Sequence, residues 1–286
     1  MSDSKLTHLP KSTFELEIAI PWDEVQKHHQ EALKKVAQNI ALPGFRKGKA
    51  PLNLVEKNVD EQKIFEEIIK VILPPAYQQA LKKHNLKPII TPKVQVISIN
   101  KGNDWIFKAT ACEMPTVDLK NYQQEIRGAF AKDKIWTPQK GTKDKQKKPD
   151  NTKKIDEIFQ ILLKTCKIDI PDLLIDDEVT RMFSRLIDKT EKLGLSLEQY
   201  LASTQKTVEF LRQEYQKKSE ETLKLEFILN AISNEQKFKI EDKEIDALIK
   251  ATPDKKIQGD LNKPAQRLYL ASILRKRKAI DFLLSL

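Results

Sequence analysis

Glycine is scarce in this chain, and its scarcity constrains the fold more than any other feature. Only seven glycines occur in 286 residues. A large β-protein uses glycine at many tight turns, because glycine adopts the positive φ angles of those turns at little cost. The composition therefore argues against a large all-β architecture and favours a mostly helical protein. The length of the chain favours two or more domains over a single core.

The first part of the chain predicts a small α/β domain, which we expect to span residues 1–113. Residues 13–20 alternate between apolar and polar side chains, as a half-buried strand does. The predicted elements are, in order, a strand at 13–20, a helix from Pro21 to Ile40, a loop at 42–51, helices over 51–58 and 61–84, and paired strands over 94–99 and 104–112. Pro74-Pro75 is expected to bend or divide the second of those helices.

The remainder of the chain, from about residue 152 to 286, has helical periodicity throughout. The first predicted helix contains the apolar stripe from Ile155 to Cys166, the second runs from Pro171 to Gly194, and a short third helix starts at a Ser196 cap. Three more helices are predicted at 205–233, 241–251 and 264–285. In the helix after Pro171, the inner face is expected to include Met182 and Ile187. The fold class is therefore α+β: an N-terminal α/β domain followed by a mostly α-helical domain.

Residues 114–151 predict an irregular, basic linker. We expect it to be flexible from about residue 137 to 151. Residues 132–154 hold nine lysines against three aspartates, an excess of six positive charges out of a net +10. Such a run is typical of a solvated linker, and it would also suit a supplementary contact with RNA. The residues alone leave both interpretations open.

The sequence offers no recognisable catalytic or metal-binding constellation. It has no phosphate-binding glycine loop, and the adjacent histidines His28 and His29 would point to different sides of a helix. Cys112 and Cys166 lie far apart in apolar surroundings, which predicts buried thiols rather than a disulfide. We expect no catalytic residue, no metal site and no cofactor.

Targeting and membrane segments are also not expected. The first twenty residues lack a continuous apolar core of signal-peptide length. No stretch approaches the roughly 20 apolar residues of a membrane-spanning helix. These features predict a cytoplasmic protein without a membrane partner, and the positive net charge favours an anionic partner such as RNA.

The loop at 43–51 is the most informative candidate site. Gly44 and Gly48 flank Phe45-Arg46-Lys47, so the chain can turn sharply and project these side chains outward. Arg46 could bind a phosphate through two hydrogen bonds, Lys47 and Lys49 would add charge, and the Phe45 ring could fill an apolar pocket on a partner. An ordinary surface loop with Phe45 folded into the core is equally compatible with the residues.

A resemblance to a known family favours the first interpretation. Gly44-Phe45-Arg46-Lys47-Gly48-Lys49-Ala50-Pro51 resembles the ribosome-binding signature of the trigger factor family, chaperones that act at the polypeptide exit tunnel. The resemblance covers residues 13–120 and resumes at 152–250. There, Ile168–Val179 is similar to the opening of the C-terminal helical domain of that family.

The resemblance implies a function, partners and site residues. The ribosome-binding residues would be Gly44, Phe45, Arg46, Lys47, Gly48 and Lys49. The partners would be the ribosome, through protein and rRNA at the tunnel exit, and nascent or unfolded polypeptides held by the helical domain without ATP. The family normally carries a prolyl isomerase domain between the two parts. Residues 121–151 are too short and too polar to build it, so isomerase activity is not expected.

Other functions remain as alternatives at this point. The main one is an RNA-binding or ribosome-assembly protein without chaperone activity; an altered prolyl isomerase and an export chaperone of the envelope are further candidates. The sequence leaves open whether two copies form a weak homodimer.

Overall fold

The computed structural model describes residues 3–40, 45–131 and 151–286. The chain divides into two compact units, Met1–Met114 and Pro115–Leu286. Each unit is described by itself.

The first unit is a four-stranded antiparallel sheet with helices packed on one face. Its elements are β1 (Asp3–Leu9), β2 (Thr13–Ile20), α1 (Trp22–Asn39), α2 (Leu52–Asn58), α3 (Glu61–His84), β3 (Lys93–Ser98) and β4 (Trp105–Cys112). The strand order is β1-β2-β4-β3, with β2 and β4 in the centre. The predicted strand at 13–20 and the predicted pair of strands on either side of residues 100–103 are confirmed.

The alternation of β2 and β4 builds the core of this unit. Their inward residues, at most 1% exposed, are Phe14, Leu16, Ile18 and Ile20 on β2 and Trp105, Phe107, Ala109 and Ala111 on β4. The register pairs Leu16 with Ala109 and Phe14 with Ala111, so a large side chain lies beside a small one. The Phe65 ring of α3 packs edge-on against Trp105, with 4.9 Å between the ring centroids.

Helix α3 continues through Pro74-Pro75 and is not divided there. Each proline removes one intrahelical hydrogen bond and costs about 3 kcal/mol in a helix interior. Both prolines lie on the exposed side, while Ile68, Ile72 and Ala76 are buried at four-residue spacing on the other side. Burial of that apolar face offsets the cost, so one helix of 24 residues forms.

Strand β1 is an element that the sequence pattern did not predict. Its residues DSKLTHL include only two large apolar side chains, Leu6 and Leu9, and no residue of the strand is fully buried. A strand at the edge of a sheet gains its stability from backbone pairing with one neighbour, which leaves little trace in hydrophobic periodicity.

The second unit is almost entirely helical. Its elements are β5 (Val117–Asp118), α4 (Tyr122–Ala131), α5 (Asn151–Thr165), β6 (Lys167–Ile168), α6 (Asp172–Lys192), α7 (Leu197–Thr204), α8 (Val208–Glu235), α9 (Asp242–Lys250), α10 (Lys255–Leu261) and α11 (Pro264–Ser285). The two short strands pair antiparallel. Helix α8 is central, because α5, α6 and α11 all pack against it.

Caps mark the helix ends in the second unit as the sequence predicted. Ser196 forms a capping box at α7: its hydroxyl accepts from the Gln199 N–H at 3.2 Å, and the Gln199 side chain accepts from the Ser196 N–H at 2.9 Å. Gly194, with φ +72°, follows the end of α6. The prediction for Ile187 is wrong, because its side chain is 38% exposed rather than on the inner face of α6.

The segment after residue 114 differs from the irregular linker that was expected. Residues 117–118 form β5 and residues 122–131 form α4, whose Tyr122 and Ile126 are buried. Tyr122, Ile126 and the partly buried Phe130 recur every four residues, and this narrow apolar stripe packs against α5. Residues 132–150, with most of the lysine-rich run, lie outside the described residues.

Both cysteines are buried and free, as predicted. Burial raises the pKa of the Cys112 thiol to about 11, and burial likewise raises the pKa of Cys166 to about 11. Both side chains therefore stay protonated near neutral pH and contribute as small apolar groups.

Candidate functional site

The candidate site is the loop that joins α1 to α2. The structure describes it from Phe45 to Pro51; Gly44 lies outside the described residues. Helix α1 ends at Asn39, and Pro51 with an extended ψ of 140° precedes the first turn of α2. Val55 of α2 is 1% exposed, so the chain is anchored in the core shortly after the loop.

Gly48 holds the loop against the end of α1. Its N–H donates to the Ile40 carbonyl at 3.3 Å, and the Lys49 N–H donates to the Arg46 carbonyl at 2.9 Å, which forms a tight turn. Gly48 has φ +79°, and a Cβ atom there would lie 3.2 Å from the Gln38 carbonyl oxygen. A residue with a side chain is therefore disfavoured at this position by its backbone conformation and by the close approach.

Phe45 lies at the surface rather than in the core. Its side chain is 40% exposed. Of the two interpretations of this loop that the residues left open, the structure disfavours the one in which the ring folds inward. An exposed phenylalanine beside a tight turn is available as an aromatic contact for a partner.

The cationic side chains of the loop are also at the surface. Arg46, Lys47 and Lys49 are exposed, and within the described part of the chain none of them forms an ion pair. Three positive charges within four residues produce a local positive potential that favours phosphate or carboxylate groups. The structure thus brings together the five described residues of the predicted site, and Phe45 lies directly beside the charges.

Exposed apolar side chains in the second unit form another candidate surface. One group, the α6–α8 group, lies at the end of α6, in the connection to α7 and at the start of α8, and consists of Ile187, Leu193, Leu195, Val208 and Phe210. The other, the α9–α11 group, consists of Leu248, Ile257, Leu268, Tyr269 and Ile273. Large exposed apolar side chains of this kind are available for contact with an apolar partner.

Sequence reasoning did not find these side chains, because periodicity assigns apolar residues to the buried face of a helix. Leu268 and Leu270 illustrate the difficulty: Leu268 is 76% exposed and Leu270 is 7% exposed, although both are leucines on α11. A signal was present in the pattern, since Leu268, Tyr269 and Leu270 are consecutive and a helix cannot bury all three on one face.

A cavity of about 410 Å³ lies within the second unit, next to the pair of strands β5 and β6. Asp118, Cys166, Lys167, Asp169 and Lys224 contribute to its lining. The hydrogen bond from Lys120 lowers the pKa of Asp118, so this carboxylate is charged at neutral pH. Among the described residues, no group of His, Cys, Asp and Glu side chains is arranged to hold a metal ion.

In the ranges that the structure describes, none of the helices is both long enough and apolar enough to cross a lipid bilayer.

Comparison with protein families gives two matches that cover most of the chain. Residues 2–132 match the model of the bacterial trigger factor protein, and residues 139–285 match the model of the trigger factor C-terminus. Only residues 133–138 lie between the two matched ranges.

Curated relatives match part of the chain. The chain is 39% identical over 120 residues to a trigger factor of Caldanaerobacter subterraneus subsp. tengcongensis, a match that covers 42% of this chain and 28% of the relative. It is 38% identical over 108 residues to a trigger factor of Staphylococcus aureus, which covers 38% of this chain and 25% of the relative. The matched region thus spans about a quarter of the length of these relatives.

A solved structure resembles the whole chain. It comes from work on promiscuous substrate recognition in the folding and assembly activities of the trigger factor chaperone. The TM-score is 0.64, and the match covers 99% of both chains at 12% sequence identity. This likeness concerns the fold alone.

Proposed function

The chain belongs to the trigger factor family, and from this premise we propose that it is a ribosome-associated chaperone. It would bind nascent polypeptides at the tunnel exit and assist their folding without ATP or another cofactor. The first unit would dock on the ribosome, and the second unit would hold the client. Docking at the ribosome would place the protein in the cytoplasm.

The observation that carries this proposal is the exposed loop with Phe45, Arg46, Lys47 and Lys49. Its cations are held at the surface without ion partners among the described residues, which suits rRNA phosphates or an acidic patch of a ribosomal protein. Phe45 beside them suits an apolar contact on the same partner. The hydrogen bond from the Gly48 N–H to the Ile40 carbonyl restricts the conformations of the loop, so less entropy is lost on binding.

The second unit supports the client-binding part of the proposal. Its α6–α8 and α9–α11 groups offer large apolar side chains to solvent. Burying one such side chain against a client contributes on the order of 1–2 kcal/mol, so a client is retained only while several of its apolar side chains are exposed. Folding of the client removes these contacts, and release therefore needs no nucleotide. An RNA-binding protein without chaperone activity would have no use for these side chains.

Prolyl isomerase activity is not part of the proposed function. The six residues between the matched family ranges cannot build an enclosed proline pocket. In the second unit, residues 117–118 form β5 and residues 122–131 form α4, and the buried residues of α4 pack within that unit.

Crosslinking on stalled ribosomes tests the proposal. Ribosomes bearing a stalled, unfolded nascent chain with a photoreactive residue are mixed with the full-length protein, then sedimented and irradiated. We expect the protein to sediment with ribosomes and to crosslink to the nascent chain. Replacing Phe45, Arg46 and Lys47 by Ala should abolish both results, because the loop would carry the ribosome contact.

A matched control removes charge elsewhere. Lys217 and Lys218 are exposed on α8 in the second unit. The variant Lys217→Ala/Lys218→Ala loses two positive charges, as many as the loop variant, and should still sediment with ribosomes. If the loop variant remains folded and sediments as well as the parent protein, the loop is not the docking site.

A further inference from the structure

Strand β3 is an edge of the sheet in the first unit. In the strand order β1-β2-β4-β3, its described backbone pairing is with β4 alone. Among the described residues no strand pairs with its outer side, so the backbone N–H and C=O groups that Val94–Ser98 present there can bond to a partner or to water.

Three side chains of β3, Val94, Val96 and Ile97, are apolar and exposed. Val94 is paired with Ala109 and Val96 with Phe107, so both valines lie on the sheet face that the helices cover. Ala109 and Phe107 are fully buried, whereas Val94 and Val96 are 42% and 50% exposed. The helical layer therefore ends before β3. The register shifts between Val96 and Ser98, and Ile97, at this bulge, is 53% exposed.

The opposite edge of the sheet carries more charge than β3. Strand β1 exposes Asp3, Lys5 and His8, and Asp3 pairs with Lys83 at 3.2 Å. Charged groups on an edge strand discourage pairing with another chain. On β3 only the first residue, Lys93, is charged, and from Val94 to Asn100 the chain carries no charge.

We propose that β3 binds a short extended segment of an unfolded polypeptide, which pairs with it as a fifth strand. The proposal rests on the chaperone function inferred above and gives the first unit a client site of its own. Main-chain hydrogen bonds would supply most of the affinity and tolerate many sequences. Alternate apolar side chains of the client would pack on Val94 and Val96, beyond the end of the helical layer.

The size and charge of the surface favour a transient client over a second copy of this chain. A stable interface buries roughly 800 Å² per partner, far more than three half-exposed side chains provide. The bulge at Ile97 limits regular pairing to Lys93–Val96, which is too short for a lasting sheet between two copies. The net charge of +10 also opposes self-association.

Binding of a short labelled peptide with alternating threonine and valine tests the proposal on the full-length protein. Fluorescence anisotropy measures its affinity, and a version with N-methylated amides along one edge is compared. Removing those donors should weaken binding, because they would pair with β3. Val96→Lys should weaken binding of the unmodified peptide about fivefold, through loss of one cross-strand apolar pair.

Two further variants keep the test specific. Thr7→Lys adds the same charge to the exposed edge of β1 and should leave peptide affinity unchanged. Val94→Thr/Val96→Thr preserves β-branched side chains, so the strand should fold, while binding falls because the apolar contact is reduced. Circular dichroism and thermal unfolding verify that each variant is folded.

The outcomes separate this proposal from the chaperone function itself. Unchanged affinity in folded Val96→Lys and in the double threonine variant overturns the edge-strand site, whatever the ribosome and client assays show. If the parent protein forms a dimer and Val96→Lys dissociates it, β3 binds a second copy of the chain. That result would also overturn the proposal that β3 binds a client. Failure of the parent protein to bind ribosomes or to protect clients refutes the proposed function instead.

Discussion

The N–H of Gly48 donates to the carbonyl of Ile40 at 3.3 Å, so the exposed loop of the first unit returns to the end of the helix from which it leaves. This bond gives the carbonyl of the C-cap residue of α1 a partner. Because the contact is made by backbone atoms, it persists when the neighbouring side chains Phe45, Arg46 and Lys47 are changed. Loop shape and loop chemistry can therefore be tested separately.

Gly48→Ala should weaken ribosome binding while leaving the loop charges in place. Its φ of +79° costs an L-residue about 1–2 kcal/mol, and the new Cβ would lie 3.2 Å from the Gln38 carbonyl oxygen. Gly102→Ala is the matched control, since Gly102 has φ +84° with no atom within 4 Å of the added Cβ. Both variants should lower the melting temperature, and only Gly48→Ala should reduce cosedimentation. Equal ribosome binding by the two variants would contradict the role of the loop shape.

The charged and aromatic residues of the loop should respond differently to salt. Arg46→Ala/Lys47→Ala should lower ribosome affinity and flatten its dependence on salt concentration, because fewer counterions are released on binding. Phe45→Ala should lower affinity by about 1–3 kcal/mol with little change in that slope. Binding isotherms at several salt concentrations provide the measurement. A salt slope that is the same in both variants would refute the division of roles.

Leu268 and Leu270 provide a matched pair for the client surface. Leu268→Ala removes a side chain that is 76% exposed, so stability should change by less than about 0.5 kcal/mol while protection of a denatured reporter decreases. Leu270→Ala removes a side chain that is 7% exposed and should cost about 2–4 kcal/mol of stability. Light scattering of the aggregating reporter and urea unfolding separate the two effects. Full protection by Leu268→Ala, also when Tyr269→Ala is added, would exclude this part of α11 from client binding.

Tyr122 should make the second unit sensitive to alkaline pH. Burial, with the hydrogen bond to Glu235 as a second cause, raises the pKa of Tyr122 to about 12, against about 10 in an unfolded chain. The resulting stability is fully present below pH 10 and is lost as the pH rises through 12, because the unfolded state releases its proton first. Tyr122→Phe should cost about 1 kcal/mol at neutral pH through loss of the 2.6 Å bond to Glu235. The substitution should also reduce the loss of stability at alkaline pH, which urea unfolding between pH 7 and 11 measures. An equal alkaline loss in Tyr122→Phe and in the parent protein would show that Tyr122 is not responsible.

Prolyl isomerisation should proceed at the uncatalysed rate in the presence of this protein, with time constants of tens of seconds or longer. A protease-coupled peptide assay measures this rate. An active prolyl isomerase added to the same assay is the positive control. Acceleration that survives repurification and is proportional to protein concentration would contradict the expectation.

The sequence predicted best where one face of an element is buried. The alternation of β2 shows this, because each of its inward residues is fully buried beside β4. Strand β1 and helix α10 could not be predicted, since backbone pairing or a few contacts hold them with little apolar periodicity. For the loop, the residues showed which chemistry was available, but only the structure shows that Phe45 is exposed and that Gly48 contacts the end of α1.

Charge was harder to interpret from sequence than apolar pattern. Residues 275–278 of α11 are Arg-Lys-Arg-Lys, which alone would suit a polyanion. In the structure Arg275 donates to the Phe238 carbonyl at 3.1 Å, and Lys276 pairs with Glu226 at 2.6 Å. Lys278 pairs with Glu244 at 2.8 Å. These cations bind α11 to neighbouring elements of the second unit, so most of their charge is already paired there and is not available to a polyanion.

The place of α11 in the second unit has a consequence for the order of synthesis. Helix α8 buries Ile228, Leu229 and Ile232, and α11 packs against it with Ala279 and Leu283 buried. A ribosome making this protein completes α8 well before residues 264–285 exist, so part of the apolar face of α8 has no cover in the meantime. The first unit needs nothing beyond Met114 to close its sheet. Translation would therefore yield a closed first unit while the second is still an open helical assembly, in need of the same protection that the finished protein is proposed to provide.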